Sequence, residues 1–504
     1  MNDQAVRIVS HCVWFFLIAL SFTAGCVVGP NFERPVGPAV TSYDAAPVSL
    51  PALGGPDPVQ RFIDGGAIAR QWWGLFRSPA LNEVLALAIK ASPTLASARA
   101  TLAQAEEVVV AARGAYYPQI DLAATSDYQY NRSLNRNSLV SSSAAASAKN
   151  SLVTSMFNIG PLLTYTPDLF GQNRRLVEED VALTENQNYQ LAAAYLTLTA
   201  DSVTQAVTIA STVAQIEAVN EIIAADEHNL DLVRIAFAAG SVARTDVLSA
   251  ESQLANDRTL LPPLGQQLSV AQHALAVLVG KTPAEWSPPA FDLEALTLPG
   301  ELPVTVPSQL VHGRPDILSA EAQLHAASAA IGVATAQLYP TLTVSPSWTL
   351  QTATIEGRFA GPDIAAEMAG SIAAPIFHGG TLKALQRAAV DAYEGELNVY
   401  RQTVLQAFGQ VADVLRALQH DTELLGAEST AATASKASLD LSQAAYAAGR
   451  GSLVQVLDAQ RLYAQALQGY AHAKGQRYLD SVLLFEAMGG DSKAWIESNA
   501  GSQP

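Results

Sequence analysis

Thr341-Leu342-Thr343-Val344-Ser345-Pro346-Ser347-Trp348-Thr349-Leu350-Gln351 alternates strictly: Leu342, Val344, Pro346, Trp348 and Leu350 face one way, and the intervening Thr, Ser and Gln residues face the other. A run of about ten residues with one apolar and one polar face is what a transmembrane β-strand needs, with lipid on one side and a watery lumen on the other. A half-buried hairpin in a soluble sheet has the same period. An earlier stretch repeats the pattern after Tyr117-Pro118, with Ile120, Leu122, Ala124, Tyr128 and Tyr130 opposed by Gln119, Asp121, Thr125, Asp127 and Gln129. Each stretch is followed by a polar loop, Asn131 to Ser151 or Thr352 to Asp363, and by a second candidate strand. The predicted strands are about 118–130, 152–166, 341–351 and 364–377.

Beyond each strand pair the period lengthens. Ile216, Val219, Ile223, Leu230, Val233 and Phe237 fall on an a/d seam with Asp226 as its polar member, and Tyr400, Val404, Ala407, Val411, Val414, Leu418 and Leu425 fall on another. Long helices are predicted over about 173–238 and 382–447. At 1.5 Å per residue each is about 100 Å long, too long for a compact globular domain. Gly240 and Gly449 end them, because glycine tolerates the left-handed C-cap conformation. Return helices are predicted over about 244–280 and 453–488.

This order occurs twice. Ser92-Pro93-Thr94-Leu95, with a run ending at Tyr116-Tyr117-Pro118, matches Arg314-Pro315-Asp316-Ile317, with a run ending at Leu338-Tyr339-Pro340, at an offset of 222 residues. Ala236-Phe237-Ala238-Ala239-Gly240 matches Ala445-Tyr446-Ala447-Ala448-Gly449 at an offset of 209, and the shorter second loop accounts for the change. The chain therefore divides into a first repeat over 71–281, a Pro-rich segment over 282–313, a second repeat over 314–488 and a polar tail over 489–504. Four strands cannot close on themselves, and in lipid each unpaired backbone group at an open edge loses several kcal/mol. Oligomerisation is required. Two copies give eight strands and a lumen filled by side chains, whereas three give twelve and an opening wide enough for solutes.

The 504 residues are 49% hydrophobic but only 7% aromatic, which suits long Ala-rich helices better than a large core. A formal charge of −17 without a basic cluster argues against nucleic acid. Residues 1–25 read as a signal peptide: Arg7, the apolar run Cys12 to Leu20, then Thr23-Ala24-Gly25 before Cys26. Small residues before a cysteine point to lipidation of Cys26, with an ordinary leader containing a chance cysteine as the alternative. Val27, in place of an Asp that retains such proteins in the inner membrane, favours the outer membrane. A lipidated, Pro/Gly-rich and extended segment over 26–70 follows. Both cysteines, Cys12 and Cys26, lie in this region, so no disulfide is expected. Gly280-Lys281-Thr282 lacks the earlier glycine of a phosphate loop, Leu275 standing in its place. No catalytic, metal or cofactor motif is found, and no enzymatic activity is expected.

Four stretches together carry a family resemblance: Cys26 to Pro35; Gln71-Trp72-Trp73 with Leu75-Phe76; Val306-Pro307-Ser308-Gln309-Leu310 leading into Arg314-Pro315; and Ala336-Gln337-Leu338-Tyr339-Pro340. They resemble the outer membrane factor family, specifically the NodT-type efflux lipoproteins related to TolC. His312-Gly313 departs from relatives that often carry a further basic residue there. The resemblance implies an α+β membrane protein: a homotrimer whose four transmembrane strands per chain form a 12-stranded β-barrel, continued by an antiparallel α-helical coiled-coil barrel into the periplasm. It implies an exit duct in the outer membrane, passively conducting drugs or other small toxic solutes from an inner-membrane RND-type transporter through a periplasmic adaptor. A type I protein secretion duct and a non-conducting coiled-coil envelope lipoprotein are the alternatives.

By the same resemblance Gly240, Arg244, Asp246, Gly449 and Arg450 mark the periplasmic tip turns where the adaptor docks. Asp458 matches a carboxylate that narrows the closed entrance, Val454 an apolar constriction, and Gln455 stands where relatives carry a second aspartate. Three-fold symmetry would put three carboxylates around one axis, raising their pKa values in a closed polar ring. Asp458 pairing with Arg461 at i+3 is the alternative. Only the second repeat has this carboxylate, since Asp458 aligns with Ser249.

Overall fold

The computed structural model describes residues 27–51, 59–66, 68, 71–132, 151–355, 358–359 and 363–490. The leader, Cys26, most of the first strand-to-strand loop and residues 491–504 of the tail lie outside the described residues. In chain order the elements are β1 (Arg61–Asp64), α1 (Pro79–Ala91), α2 (Pro93–Arg113), β2 (Gln119–Arg132), β3 (Ser151–Thr164), α3 (Gln172–Ala238), α4 (Arg244–Arg258), α5 (Leu261–Leu278), β4 (Glu301–Val304), α6 (Pro307–Val311), α7 (Pro315–Ala336), β5 (Thr341–Ile355), β6 (Arg358–Phe359), β7 (Asp363–Ala373), α8 (Thr381–Ala447) and α9 (Leu453–Ala487). Both α3 and α8 are single helices of 67 residues.

Three features differ from the sequence reading. The first return helix is two helices, α4 and α5, parted at Thr259–Leu260. Pro262 and Pro263 offer no N–H to the carbonyls of Arg258 and Thr259, and their rings would clash there. The fourth strand ends at Ala373, leaving Ile376 and Phe377 beyond it and exposed. On the α8 seam the buried positions step from Val411 to Leu415 and Leu418, so Leu415 takes the place expected of Val414. Two successive steps of four, from Ala407 to Val411 to Leu415, make a stutter, which locally unwinds a coiled coil.

The chain divides into two compact units. One comprises Met1–Glu33, Ala105–Thr184 and Leu324–Glu396. Its sheet is antiparallel in the order β2-β3-β5-β7, with β6 adding two rungs to β5. Ala124 pairs with Ile159, Ile159 with Leu350, and Leu350 with Ile364, so the apolar positions of all four strands share one face. Asp121, Leu162, Ser347 and Glu367 form a row on the opposite face. Ile120, Leu122, Trp348, Ile364 and Ile372 are each more than half exposed, a contiguous apolar surface suited to lipid. The β3–β5 ladder skips Gly160 and Pro161. Pro161 has no N–H to give, and a Cβ on Gly160 would stand 1.9 Å from the Trp348 carbonyl oxygen, so only glycine allows this approach.

The other unit comprises Arg34–Gln104, Glu185–Gln323 and Leu397–Pro504. Here β1 and β4 pair in parallel, giving the 26–70 and 282–313 segments a shared two-stranded ribbon. Beside it Trp72 and Phe76 are fully buried, and Trp72 stacks on Phe485 of α9 at 5.2 Å. In the helical part, Val219, Ile223, Leu230 and Val233 of α3 pack with Val247, Ala250 and Leu254 of α4, and with Leu453 of α9.

Candidate functional site: helix tips, gate positions and buried ties

Each long helix ends in the same way. Gly240 and Gly449 adopt φ of 74° and 69°, a region that L-residues with a Cβ avoid. At the first tip the Ser241 N–H donates to Ala236 O (3.0 Å) and the Gly240 N–H to Phe237 O (2.9 Å). At the second, the Arg450 N–H donates to Ala445 O and the Gly449 N–H to Tyr446 O, both at 2.9 Å. Both are Schellman closures, which satisfy carbonyls that a helix end otherwise leaves open. The side chains at the first tip are engaged locally. Asp246 accepts from the Ala243 N–H at 2.9 Å and caps α4, while the Arg244 guanidinium lies 6.0 Å from the centre of the Phe237 ring.

The positions that the resemblance assigns to a gate lie in the first three turns of α9. Gln455 and Ser452 form a capping box, each side chain bonding the other's backbone, so Gln455 is committed to starting the helix. Val454 is 65% exposed. Asp458 accepts from Arg461 Nη2 at 2.7 Å, and both side chains are about half in solvent. Val454, Asp458, Arg461 and Leu462 thus share an open face of α9, opposite buried Leu453, Val456 and Ala459. Ser249, the counterpart of Asp458, donates to the Thr245 carbonyl at 2.9 Å.

Just above the tips a buried polar network crosses between helices. Asp226 is only 3% exposed. Its Oδ1 accepts from Gln460 Nε2 of α9, whose Oε1 in turn accepts from Asn229 Nδ2. Its Oδ2 meets no donor among the described side chains, and the Asp226 side chain neighbours the carboxyl of Asp257 on α4, itself held by Gln253 Nε2 at 2.8 Å. Burial, and then the neighbouring Asp257, push Asp226 up to about 8. A second pair repeats the chemistry elsewhere in the unit. Asp480 of α9 is 1% exposed, accepts from Gln476 Nε2 at 3.0 Å, and is pushed up to about 8 by burial and then by Asp421 of α8. The seam position of Asp226 was the one sequence signal for either pair. Asp257, Gln460, Asp421 and Asp480 carried none.

In the sheet-bearing unit, the start of α3 holds the segment that follows Cys26. Arg175, 3% exposed, donates to Val28 O (3.2 Å), Gly29 O (3.3 Å) and Asn31 Oδ1 (2.9 Å), and pairs with Glu178 at 2.7 Å. The Val28 N–H donates to Phe170 O at 3.1 Å, and Phe32 stacks on His325 of α7 at 4.5 Å. Gly29, at φ 92°, passes so close to Gly332 that a Cβ on it would sit 2.4 Å from the Gly332 Cα. Among the described residues, no group of three His, Cys, Asp or Glu side chains comes together as a metal site.

Residues 84–281 and 306–490, one stretch per repeat, match the family model described as outer membrane efflux protein. The chain is 30% identical over 426 residues to the pyoverdine export outer membrane protein OpmQ of Pseudomonas aeruginosa, covering 84% of this chain and 87% of that protein. It is 28% identical over 473 residues to nodulation protein T of Rhizobium leguminosarum bv. viciae, covering 93% and 91%. The fold matches the outer membrane channel CmeC of Campylobacter jejuni with a TM-score of 0.79 at 19% identity, covering 94% of this chain and 98% of that one. With its duplicated strand pairs and long helices matched over most of their length, this chain belongs to the outer membrane efflux protein family.

Proposed function

We propose that three copies of this chain close a twelve-stranded barrel and form the passive exit duct of a tripartite efflux pump. The observation that carries this reading is the sheet's two open edges. Among the described residues β2 pairs only with β3, and β7 only with β5, although β2 has 14 residues and β7 has 11, enough to cross a membrane. In lipid those unpaired backbone groups must find strands in neighbouring copies. Three copies rather than two leave a lumen, which the polar row of Asp121, Ser347 and Glu367 would line.

In this reading the tip turns at Gly240 and Gly449, with Arg244, Asp246 and Arg450, meet a periplasmic adaptor that couples the duct to an inner-membrane RND-type transporter. The α9 face carrying Val454 and Asp458 narrows the entrance. Opening exchanges the Asp458–Arg461 pairing and moves α9 outward, without chemistry in this chain. Cys26 carries the lipid anchor, and its cargo is small toxic solutes supplied by the pump. Planar-bilayer recording tests the reading: conductance that increases with Asp458→Ala and Val454→Ala supports it. A trimer silent even with both substitutions contradicts it.

A further inference from the structure

We infer that the Asp226–Asp257 pair is a proton-holding tie between α9 and the first helical hairpin, so that opening of the entrance is coupled to release of a proton. This rests on the duct reading and adds its regulation. The geometry argues for it in three steps. First, Gln460 lies two residues beyond Asp458 on α9, yet points the other way, into the network of Asp226 and Asn229 on α3. Movement of the gate-bearing end of α9 away from α3 therefore withdraws Gln460 from both partners.

Second, the two carboxyl groups are almost wholly out of water, at 3% and 8% exposure, and among the described residues Asp226 Oδ2 has no donor except a proton on the pair itself. Two ionised carboxylates so placed would repel in a low-dielectric site. With one shared proton, the pair has a hydrogen bond in place of the repulsion.

Third, no cation among the described residues compensates them. From α3, Glu227 faces solvent and pairs with Arg258 of α4 at 2.6 Å; on α9 Arg461 is taken by Asp458, and on α8 Lys436 by Asp440. From the α4–α5 junction Leu260, and from α5 Leu261 and Leu264, bring no charge. Burial and Asp257 are the only causes that raise Asp226.

The sign follows by linkage. While α9 is in place the pair keeps its proton to about pH 8. Once Gln460 leaves and water enters, the freed carboxylate returns toward its ordinary value near 4 and the proton departs. Opening thus releases up to one proton between about pH 4 and 8, and the opening equilibrium rises by up to about tenfold per pH unit in that window. Acid holds the duct shut and alkali loosens it.

The test uses the full-length trimer. In an Asp480→Asn background, which removes the band of the second buried pair, a protonated-carboxyl infrared band at pH 7 that weakens when Asp226→Asn is added supports the tie. A band unchanged by that substitution overturns it, whether or not the protein conducts. In bilayers, open probability is recorded from pH 5 to 9 in wild type, Asp226→Asn and Asp257→Asn. Opening that rises with pH in wild type and is flattened in either variant supports the proposal; an equal slope in all three overturns it. Total absence of conductance overturns the duct reading instead, and the infrared result then decides the tie alone.

Discussion

Removing the Arg175 guanidinium should free the segment that follows Cys26 without unfolding the sheet. Arg175→Ala deletes three bonds to Val28, Gly29 and Asn31 and leaves Glu178 only its contact with His325, at 3.1 Å. Bonds from a charged donor contribute about 1.5–3 kcal/mol each, and the two longest here, 3.2 and 3.3 Å, belong at the low end. Because they share one buried head group they do not add fully, and about 3–5 kcal/mol is the expected total. At 1.4 kcal/mol per decade, local opening of the segment should become roughly 100- to 4,000-fold more frequent. Hydrogen exchange of a peptide spanning Val27 to Phe32 reads this directly, with β2 and β3 as internal controls. Arg175→Lys, which carries a point charge but no fork, should fall between the two. Unchanged protection in Arg175→Ala would refute the idea that this side chain secures the segment.

Two further outcomes follow from buried groups. Asp480, pushed up to about 8, binds its proton in the folded state across a range where the unfolded chain has lost it, so its contribution is greatest below about pH 4 and declines as pH rises toward 8. The stability of wild type relative to Asp480→Asn should therefore fall by up to about 1.4 kcal/mol per pH unit in that window, and parallel melting curves across pH would count against it. Gly160→Ala places a methyl 1.9 Å from Trp348 O and must push β3 from β5, costing about 1–3 kcal/mol. The heat-dependent gel mobility of the folded protein should shift to lower temperature, and an unaltered transition would show that the strands do not approach so closely.

The parts legible in the sequence were those in which one element repeats a local rule. Four strands announced themselves because polarity alternates between adjacent residues that point to opposite faces of the sheet, as at Trp348 and Thr349. The tip turns were legible because Gly240 and Gly449 must adopt positive φ. What escaped depends on distant residues meeting. Asp226 and Asp257 are 31 positions apart, and Gln460 belongs to the other repeat, so nothing local marks them as partners. Arg175 reads as an ordinary basic residue in a first helical turn, and its role follows only from Gly29 and Gly332 allowing two backbones to touch. Gln455 shows the converse. The resemblance assigns it to the gate, and the structure adds a local task that no motif announced: its side chain caps the start of α9.

The central claim is closure of the sheet by three copies, and cross-linking of the two open edges tests it most directly. In a Cys26→Ser background, single cysteines at Ala123 or Thr125 of β2 are combined with cysteines at Ala365 or Ala369 of β7, and the membrane-inserted protein is oxidised. The account predicts a covalent ladder that ends at three copies. A ladder that ends at two, runs beyond three, or yields only bonds within one chain would contradict it.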